Sequence, residues 1–334
     1  MRALVVRIGR AGDLVMTTPA LTAIINSYQD IQITLLTGPD GRRILKSFHP
    51  AIKEIWIWNR SGIGALFNKI KIRKKVRQAG FDMIFCFDTS ERIASLFKGL
   101  DTKLYWRNTP DHLVHCSRSY LNLVEKAVGT KIKDIQPSLY LSPNAEQQVE
   151  KELKEYGISA SDKVVMLHPS FSGSSHFRPK NPRSVKHRLW PTRNFSELGD
   201  QLARLKLPDD TNPKVVIDLI PEEARLGEEI KKFSNGGITL LISPPNFERY
   251  KALIKRADLF VSPNTGPMHI ASAMNTPIVT LFSDWDPAEC GPFMQAEKFT
   301  ALRAEDTPCP EQGLSAISVE TVLNACKQQL LKTG

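Results

Sequence analysis

At 334 residues the chain is long for a single core and comfortable for two domains. Its 41% hydrophobic and 24% charged content is that of a folded globular protein, which excludes a disordered chain, and no window approaches the roughly 18 continuous apolar residues of a membrane span. The net charge of +10 is lopsided: residues 1–150 carry 22 Lys and Arg against 13 Asp and Glu, so the excess lies in the N-terminal half and points that half at a polyanion or an anionic surface.

In chain order, Leu4 to Ile8 reads as a first strand, with charge and Gly where a signal peptide would need an unbroken apolar run; the expectation is a cytoplasmic chain. A loop from Gly9 to Asp13 follows, then a helix whose start Pro19 leaves open. Either Asp13 caps a helix that bends at Pro19, or Thr18 caps one beginning there. Further units are a strand at 32–36, a helix at 41–48, a strand at 54–57, a basic helix over about 63–78, a strand at 83–87, and helices at 91–97 and 119–128. A polar linker near Ser142 and Asn144 precedes a helix at 145–156. The second half continues with strands at 164–168, 214–219, 239–242, 258–261 and 278–282 and helices at 194–205, 222–233, 247–256, 267–274 and 319–331. Ser170 to Arg188, rich in Ser, Gly and basic residues, reads as a mobile loop.

Strands alternating with helices through both halves predict an α/β architecture of two doubly wound parallel sheets with a cleft between them. The five cysteines are scattered, odd in number and without a C-x-x-C pair, which favours reduced thiols over disulfides or zinc.

The most informative stretch is Ala257 to Phe282, a strand, a Gly loop, a helix opened by Pro267 and a second strand. In an open parallel sheet such a loop lies at the carboxyl edge, where a helix start offers N–H groups and a positive dipole end to a phosphate. Asn264 and Gly266 could equally make an ordinary βα turn, and a lone His269 is more often structural than a ligand.

This stretch resembles the nucleotide-sugar site of glycosyltransferase family 9, the bacterial heptosyltransferases. Their signature Asp-Thr-Gly-x-x-His is matched by Thr265, Gly266 and His269, with Asn264 where the family has Asp. A second match is Gly12-Asp13 with Thr17-Thr18-Pro19-Ala20-Leu21; in the family this Asp is the proposed general base, and read alone Asp13 is a helix cap. A third is Arg188-Leu189-Trp190-Pro191, where the family's Lys contacts the donor diphosphate and Arg188 supplies a forked donor, or is one more solvated charge. A looser one is Asp218 to Glu223, which leaves Glu222 and Glu223 undecided as the nucleoside contact; both also suit the start of their own helix.

The resemblance implies a GT-B fold, two doubly wound Rossmann-like domains whose parallel sheets face an interdomain cleft. Residues 1–144 would bind the acceptor and 145–317 the nucleotide sugar, with 318–334 a last helix able to pack back on the first domain. It implies an inverting transfer of heptose from ADP-heptose to an acidic lipopolysaccharide inner-core acceptor, with Asp13 as base, Arg188, Glu222, Glu223, Asn264, Thr265, Gly266 and His269 at the donor, and Arg10, Gly12, Arg60 and Arg118 at the acceptor. No cofactor is required if Arg188, the N–H groups near Thr265 and Gly266 and the helix dipole neutralise the departing diphosphate. Asp284-Trp285-Asp286 has metal-site spacing but also suits a turn, and no metal is expected. The helix carrying Lys69, Lys71, Arg73, Lys74, Lys75 and Arg77 among Leu66, Phe67, Ile70 and Val76 is either a solvated surface or a contact for anionic lipid of the inner membrane. The alternatives are another nucleotide sugar, an epimerase or hydrolase on the same fold, and a nucleic-acid-binding protein, for which no basic and aromatic reading face is found.

Overall fold

The computed structural model describes residues 1–59, 65–108, 114–170 and 187–332. The chain divides into two compact units, Met1–Tyr140 and Leu141–Gly334. The division falls just ahead of the expected linker because Ser142 is already a helix cap. Its hydroxyl accepts from the Ala145 N–H at 3.3 Å, and the helix it opens, Pro143–Glu155, packs on Phe247–Arg256 of the second unit.

The first unit holds five parallel strands, β1 (Arg2–Arg7), β2 (Gln32–Thr37), β3 (Ile52–Ile57), β4 (Met83–Cys86) and β5 (Lys103–Trp106), in the order β3-β2-β1-β4-β5. The second holds β6 (Val164–Leu167), β7 (Lys214–Leu219), β8 (Ile238–Ile242), β9 (Leu259–Pro263), β10 (Ile278–Phe282) and β11 (Phe299–Arg303), in the order β11-β10-β9-β6-β7-β8. Every pairing is parallel. A parallel sheet covered on both faces reads as unbroken apolar runs, and Leu4 to Val6, Val164 to Leu167 and Ile278 to Phe282 are accordingly buried along their length. The strand order reverses beside β1 in the first sheet, between β1 and β4, and beside β6 in the second, between β6 and β9. In open α/β sheets such switch points leave a crevice at the carboxyl edge where ligands bind.

Two edge strands, β5 and β11, escape the sequence reading because each is short and only partly buried, so no apolar run marks it. Around Pro19 there are two helices, Ala11–Val15 and Thr18–Ser27, with Pro19 in the first turn of the second; Asp13 lies inside the first. The helix expected at 119–128 begins at Cys116, because the His115 ring nitrogen accepts from the Ser117 N–H at 3.1 Å. The helices expected at 41–48 and 91–97 stop early, at Leu45 and Ala94. The basic helix runs Ala65–Ala79. Most of the loop expected at Ser170 to Arg188 lies outside the described residues, as does Arg60. The last helix, Val319–Lys332, lies on Thr192–Ala203 and beside β10 and β11, completing the core of the second unit.

Candidate functional site

In the first unit the carboxyl ends of β1 and β4 carry a bracket of alternating charges. Arg7, the last residue of β1, donates to Asp13 Oδ1 at 2.5 Å and to Asp88 Oδ1 at 2.9 Å. Asp88 also accepts the Ile8 N–H at 2.6 Å, and Asp13 Oδ2 accepts the Arg10 N–H at 2.8 Å. Burial works against the charge on Arg7, but Tyr120, Asp13 and Asp88 more than offset it and push its pKa up. Gly9 is required here: a Cβ on it would stand 2.3 Å from the Asp13 Cβ. Asp13 is thus both a helix-start acceptor and a carboxylate aimed by a guanidinium, with its side chain 32% exposed at the sheet edge. Gly12 is buried in the same short helix, and Arg10 is exposed at its start.

In the second unit the equivalent edge lies between His168, after β6, and the turn Asn264-Thr265-Gly266, after β9. The turn leads into the helix Gly266–Ala273, with Thr265 as its cap residue and Pro267 in its first turn. Asn275, at φ 59, ends it in the left-handed region that Asn tolerates. The hydroxyls of Thr265 and Ser262 are buried without a protein partner. Arg188 donates to the Asn264 carbonyl at 3.0 Å, so two segments 76 residues apart meet at one turn. The reach of Arg188 is fixed from both sides. Gly313, at φ +60, lets the backbone pass so close to His187 that a Cβ would lie 2.5 Å from its carbonyl oxygen, and Trp190 donates its indole N–H to the Ile317 carbonyl at 2.9 Å. His269 sits in the first turn of the helix as expected, and it is buried. The Asn264 side chain points its amide at the Cys290 sulfur, 3.7 Å away.

A polar network runs beneath this edge. Arg249 grips Glu152 with two bonds of 2.7 and 2.6 Å and Asp218 with one of 2.8 Å, and the Tyr250 hydroxyl meets His168 Nδ1 at 3.2 Å. Burial pulls the His168 pKa down to about 4 against a hydrogen bond with the Ser170 backbone, so the ring is neutral at pH 7. Burial pushes Asp218 up to about 6; Arg249 opposes the shift while Glu152 and Glu223 add to it. The two groups act on stability with opposite signs. Between pH 6.5 and about 4 the unfolded chain takes up the proton that folded His168 refuses, so stability falls on acidification. Between about 6 and 3.8 folded Asp218 holds a proton the unfolded chain lacks, so stability rises on acidification. Each effect is on the order of 3 kcal/mol, so in the wild type they largely cancel. Relative to wild type, Asp218→Asn should therefore lose stability from pH 6.5 to 4 and His168→Gln should gain it. Urea unfolding across that window tests this, and parallel slopes for the two variants would refute it.

Glu222 and Glu223 lie in the single turn Pro221–Glu223 after β7; Glu222 is exposed, whereas Glu223 is half-buried and near enough to Asp218 and Tyr250 to raise both. Arg118 is not at the β1–β4 edge contacts. Its guanidinium donates to Asn122, Glu125, the Ile132 carbonyl and Asp134, fastening residues 132–134 to their helix. Asp286 caps the short helix Pro287–Cys290 by accepting the Ala288 N–H at 2.8 Å. Asp88 and the pair Arg249 and Tyr250 were not singled out in the sequence. Asp88 stands just past a buried strand, but only the pairing of that strand with β1 brings it to the edge that holds Asp13.

A family model described as glycosyltransferase family 9 (heptosyltransferase) matches residues 70–316. Lipopolysaccharide heptosyltransferase 3 of Escherichia coli strain K12 is 24% identical over 299 residues, 82% of this chain and 80% of that protein. Among solved structures, a family 9 glycosyl transferase from Veillonella parvula superposes with a TM-score of 0.80 at 19% identity, covering 99% of this chain and 97% of the other. The E. coli heptosyltransferase WaaC with ADP-2-deoxy-2-fluoro heptose superposes with a TM-score of 0.69 at 17% identity, covering 98% and 99%.

Proposed function

The chain belongs to glycosyltransferase family 9, the heptosyltransferases, and is a glycosyltransferase; from that premise we propose that it moves heptose from ADP-heptose to an acidic lipopolysaccharide inner-core acceptor with inversion at the anomeric carbon. The acceptor hydroxyl oxygen forms the new bond to that carbon as the bond to the diphosphate breaks. Asp13 takes the hydroxyl proton, and ADP departs with the electron pair. Arg188, the Thr265 hydroxyl and the helix start at Gly266 take up the charge on the diphosphate, with Asn264 and His269 in the same turn and helix and Glu222 or Glu223 toward the nucleoside. Arg10 and Gly12, beside Asp13, meet the acceptor. The acceptor is lipid-borne, which puts the enzyme at the cytoplasmic face of the inner membrane. Among the described residues no helix is long and apolar enough to cross one.

The donor half of the reading is supported by the neighbour solved with ADP-2-deoxy-2-fluoro heptose. The observation that carries it in this chain is the contact of Arg188 with the Asn264 carbonyl, beside a buried Thr265 hydroxyl that has no protein partner. A cation, a hydroxyl and a helix start at one switch point suit a phosphate. Calorimetry with ADP and turnover of ADP-heptose with inner-core acceptor test the proposal. Arg188→Ala should weaken ADP binding roughly tenfold to a hundredfold, and Arg188→Lys should recover part of it as a point charge without the fork. Failure to bind ADP, or donor breakdown at the same rate without acceptor, would refute the transferase assignment.

A further inference from the structure

The helix Ala65–Ala79 contains no Asp or Glu, and its buried face is narrow. Ile72 and Val76 enter the core of the first unit, while Lys75 folds over the Trp56 ring with its nitrogen 3.8 Å from the centroid. The opposite face presents Phe67, Ile70, Lys71, Lys74 and Arg77, spaced three and four residues apart and therefore one stripe on a helix. Phe67 is 76% exposed, the most exposed large hydrophobic side chain among the described residues, and Ile70 is 60% exposed. Leaving two such side chains in water beside three cations is unfavourable for a surface whose only neighbour is solvent.

We infer that this stripe docks the protein on an anionic phospholipid surface, with Phe67 and Ile70 entering the boundary between headgroups and acyl chains and Lys71, Lys74 and Arg77 pairing with lipid phosphates. Charge complementarity extends beyond the helix. Residues 1–140 carry 22 Lys and Arg against 11 Asp and Glu, whereas the rest of the chain carries 23 against 24, so the attraction is confined to the unit that bears the stripe. A nucleic acid would satisfy the cations but has no place for an exposed Phe and Ile one turn apart, whereas the lipid interface takes both. The inference rests on the helix and the charge of its unit, not on the transferase assignment, so loss of one leaves the other standing.

Sedimentation of the full-length protein with vesicles of phosphatidylcholine, alone or mixed with phosphatidylglycerol, tests it. Binding should require phosphatidylglycerol and weaken with added salt. Phe67→Ser with Ile70→Ser, and separately Lys71→Glu with Lys74→Glu, should each reduce it roughly tenfold or more. All four side chains are exposed, so far-ultraviolet circular dichroism, thermal unfolding and ADP affinity should stay at wild-type values in both variants. A tryptophan at position 67, introduced as Phe67→Trp, should shift its emission to the blue and be shielded from acrylamide when anionic vesicles are added. Vesicle binding that is absent, indifferent to these substitutions, unaccompanied by the emission shift or outcompeted by duplex DNA of equal charge would overturn the inference.

Discussion

Asp13→Asn should lower turnover roughly 100- to 10,000-fold while leaving ADP affinity within error of wild type. The two carboxylate oxygens of Asp13 each accept one hydrogen bond, from Arg7 and from the Arg10 N–H. Each oxygen has a second lone pair, so the carboxylate keeps a site for the proton of an acceptor hydroxyl. The amide of the variant would keep the shape and one acceptor oxygen, and with it much of the helix-start role, but could not take a proton. The substitution therefore separates the two meanings of this residue. If Asp13 only opens its helix, Asp13→Asn costs a little stability and no turnover; if it is the base, turnover falls and stability moves by about 1 kcal/mol or less, since the ion pair with Arg7 is partly exposed. A steady-state assay beside urea unfolding reads both quantities on one preparation, and full activity in the variant would remove Asp13 from the chemistry.

The residues that surround Asp13 show how far a sequence can be read. The β1 strand, the Gly-Asp loop and the Gly266 helix are local. An apolar run, a glycine and a proline at the right offsets declare them, and Arg188 could be paired with the Asn264 turn only because both segments match one family. Asp88 belongs to the same bracket as Asp13 but lies 81 residues from Arg7, and the parallel pairing of β4 with β1 is what brings it there. Nothing in the nearby residues announces that pairing. The same holds for Glu152, Asp218 and Arg249, which come from a helix, a strand and another helix. Arg118 illustrates the converse: an Arg in a basic half reads as available, but its helix and the following loop supply four acceptors that engage most of its fork. Edge strands β5 and β11 were missed because half-exposed strands lack the apolar run by which their buried neighbours are found.

Trp190→Ala should lower stability by about 3–5 kcal/mol and, in protein that remains folded, weaken ADP binding as well. The indole is 2% exposed, stands edge-on to Phe195 with centroids 4.9 Å apart, and belongs to the cluster that joins Phe195, Leu314, Ile317 and Val322. Removing it opens a cavity in that cluster and leaves the Ile317 carbonyl without its indole donor. The effect on binding follows from position. Arg188 sits two residues before this anchor and one after His187, which Gly313 holds, so the guanidinium reaches Asn264 from a segment pinned at both ends. With one pin gone the cation must be ordered by the ligand itself, and that entropy is subtracted from affinity. Trp190→Phe provides the control, since it keeps most of the buried ring and loses only the N–H bond, and it should lose about 1–2 kcal/mol with ADP binding nearly intact. Denaturant unfolding and calorimetry below the transition give both numbers for each variant. Should Trp190→Ala unfold easily yet bind ADP like wild type, the indole would be core alone, and Arg188 would owe its placement to Gly313 and the turn it touches.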